Sequence, residues 1–120
     1  MISVQVATKD MPSSPFLENH VRMKAQRFSM YSKKLGICKV FIEIDQNHKR
    51  KGKIFSVHID LNVPGKELVV NHKHNEDVYI AIRDAFHAME RQLEKYEHKR
   101  KGHVKSHNKD FYENISDSAA

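Results

Sequence analysis

Cysteine is almost absent: one residue, Cys38, in 120. That excludes an intramolecular disulfide and a thiolate zinc cluster, and its place at the head of an apolar run marks it as a small buried hydrophobe in a reducing, cytoplasmic setting. Long apolar runs are missing too. Nowhere do about 18 apolar residues follow one another, as a membrane-crossing helix requires. The start, MISVQVATKD, lacks the basic region followed by an apolar stretch that marks an export signal. Neither export nor membrane insertion is expected. Nucleophile elbow, phosphate loop and paired-cysteine metal motif are all lacking, and no internal repeat is evident.

Positive charge is plentiful. Lys and Arg total 21 against 15 Asp and Glu, with a pI near 9.5. None of the 21 lies in the last eleven residues, which carry Asp110, Glu113 and Asp117, so residues 1–109 hold 21 basic against 12 acidic groups, or +9. A single domain this basic has the footprint of a protein that meets polyanions, nucleic acid first among them.

Ile2, Val4 and Val6 alternate with Ser3, Gln5 and Ala7, the period-two pattern of a strand with one buried face. Ser14-Pro15 is a helix start, a capping hydroxyl followed by a residue with no N–H to satisfy. From Pro15 the residues Leu17, Val21, Phe28, Tyr31 and Leu35, with Ala25 at the margin, predict one helix with one apolar stripe, stopped by Gly36. Val40, Ile42 and Ile44 predict a second strand and Phe55, Val57, Ile59, Leu61 and Val63 a third, joined by a basic loop, Gln46 to Lys53. Pro64-Gly65 suits the centre of a type II turn, with a fourth strand around Leu68 to His72. From Asp77, read as an N-cap or first-turn acid, the stripe Val78, Ile82, Ala85, Phe86, Met89, Leu93 and Tyr96 predicts the strongest helix of the chain. Tyr79 reads as a partly buried aromatic beside the core.

The order β-α-β-β-β-α predicts an α+β fold, two helices packed on one face of a four-stranded, mostly antiparallel sheet. Residues 1–101 form the domain. Beyond them Ser, Asn, His and Asp dominate, and residues 102–120 are expected to be a disordered tail.

The placement of charge points to the interface. On the second helix Arg91, Lys95 and Lys99 follow at i, i+4, i+8 and form a stripe, with Glu90, Glu94 and Glu97 on the opposite flank. A helix tuned only for solubility would interleave the signs and gain i,i+4 pairs. On the first helix His20, Lys24, Arg27 and Lys34 share one side and Arg22 and Lys33 the other. If the helices pack side by side, their basic flanks could merge, extended by His48-Lys49-Arg50-Lys51 with Lys53 and by His98-Lys99-Arg100-Lys101 through Lys105. Such phosphate contacts are salt-sensitive and direct binding by shape, which suits structured RNA.

The stretch Glu76-Asp77-Val78-Tyr79-Ile80-Ala81-Ile82 leading into Arg91-Gln92-Leu93-Glu94-Lys95 resembles the second-helix motif of the ribosome hibernation promoting factor and ribosome-associated inhibitor family. The element order, the Pro-Gly turn and the basic flanks resemble it too, over residues 1 to about 105. The resemblance implies a cytoplasmic, ribosome-associated bacterial or plastid factor, active in stress or stationary phase. It would bind the small ribosomal subunit, its 16S rRNA and the whole 70S ribosome in the mRNA and tRNA channel around the A and P sites. Translation would be blocked without chemistry, cofactor, metal or small-molecule substrate. The residues it points to are Lys24, Arg27, Arg83, Arg91, Lys95 and Lys99, joined by Arg100 and Lys101 of the basic run. The chain resembles the short form, which lacks a C-terminal dimerisation domain. Of the two short-form groups, one promotes ribosome dimers and the other keeps single ribosomes inactive; the tail leaves both open.

Two rivals stand beside this reading. Nine histidines make a surface metal site conceivable, since His72 and His74 share a strand face and His103 and His107 have helical spacing, yet a third ligand is not evident. The same family resemblance also carries a role as modulator of an alternative sigma factor, a protein-interaction function that would use a hydrophobic patch and not a basic one.

Overall fold

The computed structural model describes residues 2–45, 54–75 and 77–104. Its elements are strand β1 (Ser3–Lys9), helix α1 (Pro15–Gln26), a 3-10 segment (Arg27–Met30), strands β2 (Ile37–Asp45), β3 (Ile54–Val63) and β4 (Lys66–Asn75), and helix α2 (Val78–Val104). The basic loop 46–53 and residues 105–120, on which most of the expected tail falls, lie outside the described residues. Helix α2 continues past the expected domain boundary at 101.

The sheet order is β1-β2-β3-β4, with β1 parallel to β2 and the other two pairings antiparallel. Register aligns the apolar positions into rows across the sheet. One row runs Val6, Val40, Ile59, Val70 and the next Val4, Cys38, Leu61, Leu68. Both rows face the helices, and a one-residue slip of any strand would turn its apolar set to solvent. On β3 the alternation is nearly complete, with Phe55, Val57, Ile59, Leu61 and Val63 buried. The other face of the sheet carries Lys39, Phe41, Ser56, His58, Asn62, Val69 and Asn71, and no element covers it among the described residues.

Strand direction sets helix direction. Strands β1, β2 and β4 point the same way, and each helix runs back from the strand that precedes it, so α1 and α2 lie parallel. Contacts climb both helices in step: Phe16 meets Tyr79, Phe28 stacks on Phe86, and Tyr31 reaches Glu90. The Phe28 and Phe86 rings, 5.4 Å apart and 20° from coplanar, close the core between the helices and the sheet.

The first helix is shorter than its apolar spacing predicts. Regular α-helix ends at Gln26, and the chain tightens into the 3-10 segment before turning at Tyr31. At three residues per turn Phe28 and Tyr31 fall on one side, which buries the Phe28 ring fully. Burying such a ring contributes about 1.5–3 kcal/mol, enough to offset the poorer hydrogen bonds of the tighter winding. Gly36 is therefore not the stop of a long helix. It sits at the entry to β2, where its N–H donates to the Asn62 carbonyl at 2.9 Å, and a Cβ there would lie 2.9 Å from the Asn62 Cβ.

The second turn is as its sequence predicts. Gly65 has φ of 86°, and proline at position 64 cannot take the positive φ that the commoner two-residue hairpin turns need there. A type II geometry is what remains.

Candidate nucleic-acid interface

Helix α2 is anchored first by its apolar stripe, with Ile82, Ala85, Phe86, Met89 and Leu93 buried. Its start is capped: Asp77 Oδ1 accepts from the N–H groups of Tyr79 (2.9 Å) and Ile80 (3.3 Å), as its reading as an N-cap anticipates. On the flank above β4, Gln92 Nε2 donates to the Val69 carbonyl (3.1 Å) and the Tyr96 hydroxyl to the Pro64 carbonyl (2.6 Å). The first of these bonds occupies an acceptor on the edge strand β4 that would otherwise be open to pairing.

On this same flank, turned outward, are Arg91, Lys95 and Lys99, all exposed. None of the three makes an ion pair within 4 Å with another described residue. Lys66 adds a cation at the foot of the stripe, its Nζ 5.9 Å from the centroid of the Tyr96 ring. Lys101 is exposed and likewise without an ion pair among the described residues, whereas Arg100 is bound to Glu97 at 2.8 Å.

The other flank of α2 meets α1, and it is acidic. Glu90 and Glu97 are buried. Glu90 accepts from the Tyr31 hydroxyl at 3.3 Å and faces Arg27 at 3.7 Å, and its charge is the main cause that raises the Tyr31 phenol above its usual value. Burial alone would raise the Glu97 carboxyl, but hydrogen bonds from Arg100 and Ser32, with the charges of Arg100 and Lys101, outweigh it and hold the group below its ordinary range. One oxygen of Glu97, Oε2, is buried without a hydrogen-bond partner among the described residues.

The expectation that the basic flanks of the two helices merge is therefore corrected. Arg27 of the α1 side meets Glu90 on the acidic flank of α2, and the stripe Arg91, Lys95 and Lys99 lies beyond that flank. The reason is packing: the buried arc of α2 includes Phe86 and Leu93, and Glu90 and Glu97 fall on its α1 margin at helical spacing. Arg22, on the far side of α1, is also diverted, donating to the Val4 carbonyl at 2.7 Å.

Arg83 is exposed and held by Asp84 at 3.1 Å, which keeps the Asp84 carboxyl below its usual range. Asp84 reaches His72 of β4 at 3.5 Å. His74, on the same strand face, has a buried Nδ1 without a hydrogen-bond partner among the described residues. No three His, Cys, Asp or Glu side chains converge as metal ligands among the described residues. Cys38 is fully buried, which pushes its thiol up to about 12 and leaves it a hydrophobe.

One feature escaped the sequence reading. Tyr79, partly buried at 38% exposure, forms a cluster with Phe16 and His20 at the paired starts of the helices. The signal was present in Phe16, a large apolar residue off the stripe of Leu17 and Val21.

Residues 4–101 match the family described as sigma 54 modulation protein / S30EA ribosomal protein. The chain belongs to this family. Two solved structures share the fold. The N-terminal domain of Thermus thermophilus Protein Y superposes with a TM-score of 0.68 at 20% identity, covering 80% of this chain and 99% of that one. A ribosomal subunit interface protein from Coxiella burnetii gives 0.66 at 22% identity, covering 80% and 97%. No curated protein matches the sequence. Within the S30EA family fold, the stripe on α2 is the largest set of unpaired cations that the described residues bring onto one helix flank.

Proposed function

We propose that this protein is a ribosome hibernation factor that binds the rRNA of the small subunit. It would occupy the mRNA and tRNA channel around the A and P sites and inhibit translation in stress or stationary phase. Membership of the S30EA family and likeness to a ribosomal subunit interface protein support a ribosome-associated role. The observation that carries the RNA contact is the one-signed, unpaired stripe Arg91, Lys95 and Lys99. Leaving three cations unpaired on a helix forgoes the i,i+4 pairs that would stabilise it by a few tenths of a kcal/mol each, and a phosphate backbone supplies the missing partner. Lys24, Arg27, Arg83, Arg100 and Lys101 extend the contact around the helical layer. The partners are 16S rRNA in the small subunit and the 70S ribosome, met in the cytoplasm, and the action is steric.

Sucrose-gradient sedimentation tests this. The protein should travel with the small subunit or whole ribosomes, and the variant with Arg91, Lys95 and Lys99 all changed to Glu should fold yet leave those fractions. Unaltered co-sedimentation of the triple variant would remove the stripe from the contact. Absence of the unaltered protein from every ribosomal fraction at low salt would overturn the function, and the sigma-factor role would become the leading one.

A further inference from the structure

Phe16 is 70% exposed, and Met23, two turns along the same side of α1, is 73% exposed. An exposed phenylalanine at a helix start contributes nothing to the core, and the neighbouring Leu17 already fills the buried position. The Phe16 ring meets Tyr79 edge to face at 6.1 Å and 65°, and His20 meets the same tyrosine at 5.1 Å and 80°. Three rings from two helices thus form one surface cluster.

The cluster is held on rigid supports. Ser14 caps α1, its hydroxyl accepting from the Leu17 N–H at 3.1 Å, and Asp77 caps α2 directly before Tyr79. Ring centres at 5–6 Å in edge-to-face contact fix each plane against its neighbour, and the exposure of Phe16 leaves its own face open. His20 is kept below its usual value by burial and by Lys24, so near neutrality its ring is an uncharged wall. Cations border the cluster one helical turn on, Lys24 after His20 and Arg83 after Tyr79. Among the described residues, Asp77 is engaged in the cap and Arg83 is shared with Asp84, whereas Lys24 makes no ion pair.

We propose that Phe16, His20 and Tyr79 form a stacking platform for an unpaired nucleobase of an RNA strand, whose flanking phosphates meet Lys24 and Arg83. Open aromatic faces beside cations are what single-stranded nucleic acid uses, because every base has a π-face and every linkage a charge. A protein partner fits less well, since an apolar side chain in the site would leave Lys24 without a partner. This deepens the ribosome-binding reading: the α2 stripe would meet paired backbone, and the start of the two helices a splayed base.

The test uses the full chain and two fluorescein-labelled probes of about eight nucleotides, a length within the usual single-strand site. One is oligoadenylate and the other carries the same sugar-phosphate backbone without bases. The protein should prefer oligoadenylate roughly tenfold, the scale of one stacked base. Phe16→Ala and Phe16→Leu should each abolish that preference while leaving affinity for the baseless strand unchanged. Tyr79→Ala should do the same. Equal binding of the two probes by the unaltered protein would overturn the proposal. So would full oligoadenylate affinity in Phe16→Leu with loss in Phe16→Ala, which would mark an apolar docking patch for protein. Ribosome sedimentation is read separately: a chain that pellets with ribosomes but ignores bases loses only the platform. One that prefers bases but misses ribosomes keeps the platform and loses the hibernation role.

Discussion

Arg27 Nε lies 3.7 Å from Glu90 Oε2, across the seam between the first and second helices. A cation counted on for phosphate binding is thus partly neutralised by a buried acid. The pair also sets where Arg27 points, because Glu90 is held in turn by the Tyr31 hydroxyl. Changing Glu90 to Gln keeps the shape and the hydrogen bond from Tyr31 but frees the guanidinium. RNA affinity should rise a few-fold, and the slope of log affinity against log salt should steepen by up to about 1, the value of one added phosphate contact. Fluorescence anisotropy against structured rRNA over a salt series measures both.

The stripe on α2 makes a matching prediction in the opposite direction. Replacing Arg91, Lys95 and Lys99 by Gln removes charge without adding repulsion, so the salt slope should fall by about 1 per residue, roughly 3 in all. Thermal stability should be nearly unchanged, because surface substitutions of this kind usually stay within about 0.5 kcal/mol. Arg100→Gln should act differently. Its guanidinium is engaged with Glu97, so it should alter stability more than the salt slope.

The order of elements along the chain and their buried faces follow from period-two and period-3.6 spacing, and the Pro64-Gly65 turn from its two residue types, all of which local chemistry determines. The signs of the two flanks of α2 were equally legible. Which flank faces α1 was not, because that depends on the parallel packing of two helices brought together by strand direction. The same is true of Gly36, read as a helix stop yet required by the approach of Asn62, and of Tyr79, whose neighbours Phe16 and His20 come from another helix. Contacts between elements far apart in the chain leave little mark on local spacing.

Gly36 gives a stability test of that point. A methyl group at position 36 would meet the Asn62 Cβ at 2.9 Å, closer than two carbons tolerate, and both atoms belong to stiff parts of the chain. Gly36→Ala should cost about 1–3 kcal/mol, the range of overpacked sites, read as a lower urea midpoint with unchanged slope. Asn62→Gly in the same chain removes the opposing Cβ and should recover part of the loss, leaving a non-additive pair.

Cys38 should be chemically silent while the protein is folded. With its thiol near 12, about one group in ten thousand is ionised at pH 8, and the side chain is fully buried. Alkylation by iodoacetamide should therefore proceed only through opening of the sheet, at a rate that rises with urea in step with unfolding. Rapid labelling in the native state would show that β2 does not hold this residue in the interior.

Acid should unfold the protein partly through the helix seam. The Glu97 carboxyl sits below its ordinary value of 4.5 because hydrogen bonds from Arg100 and Ser32 outweigh the effect of burial. A carboxylate depressed in the folded state binds its proton less readily there than in the unfolded chain, so its contribution is complete above about 4.5 and is lost as pH falls through the folded value. Asp84, also depressed chiefly by its hydrogen bond from Arg83, adds a second component below its ordinary 3.8. Urea midpoints should thus drop steeply below about pH 4.5 and change little between pH 5 and 6 on account of these acids. Glu97→Gln should lower stability at neutral pH and flatten the upper part of the acid limb, leaving the Asp84 component in place. An unchanged acid limb in that variant would mean that the contact of Glu97 with Ser32 and Arg100 does not contribute to the stability of the folded state.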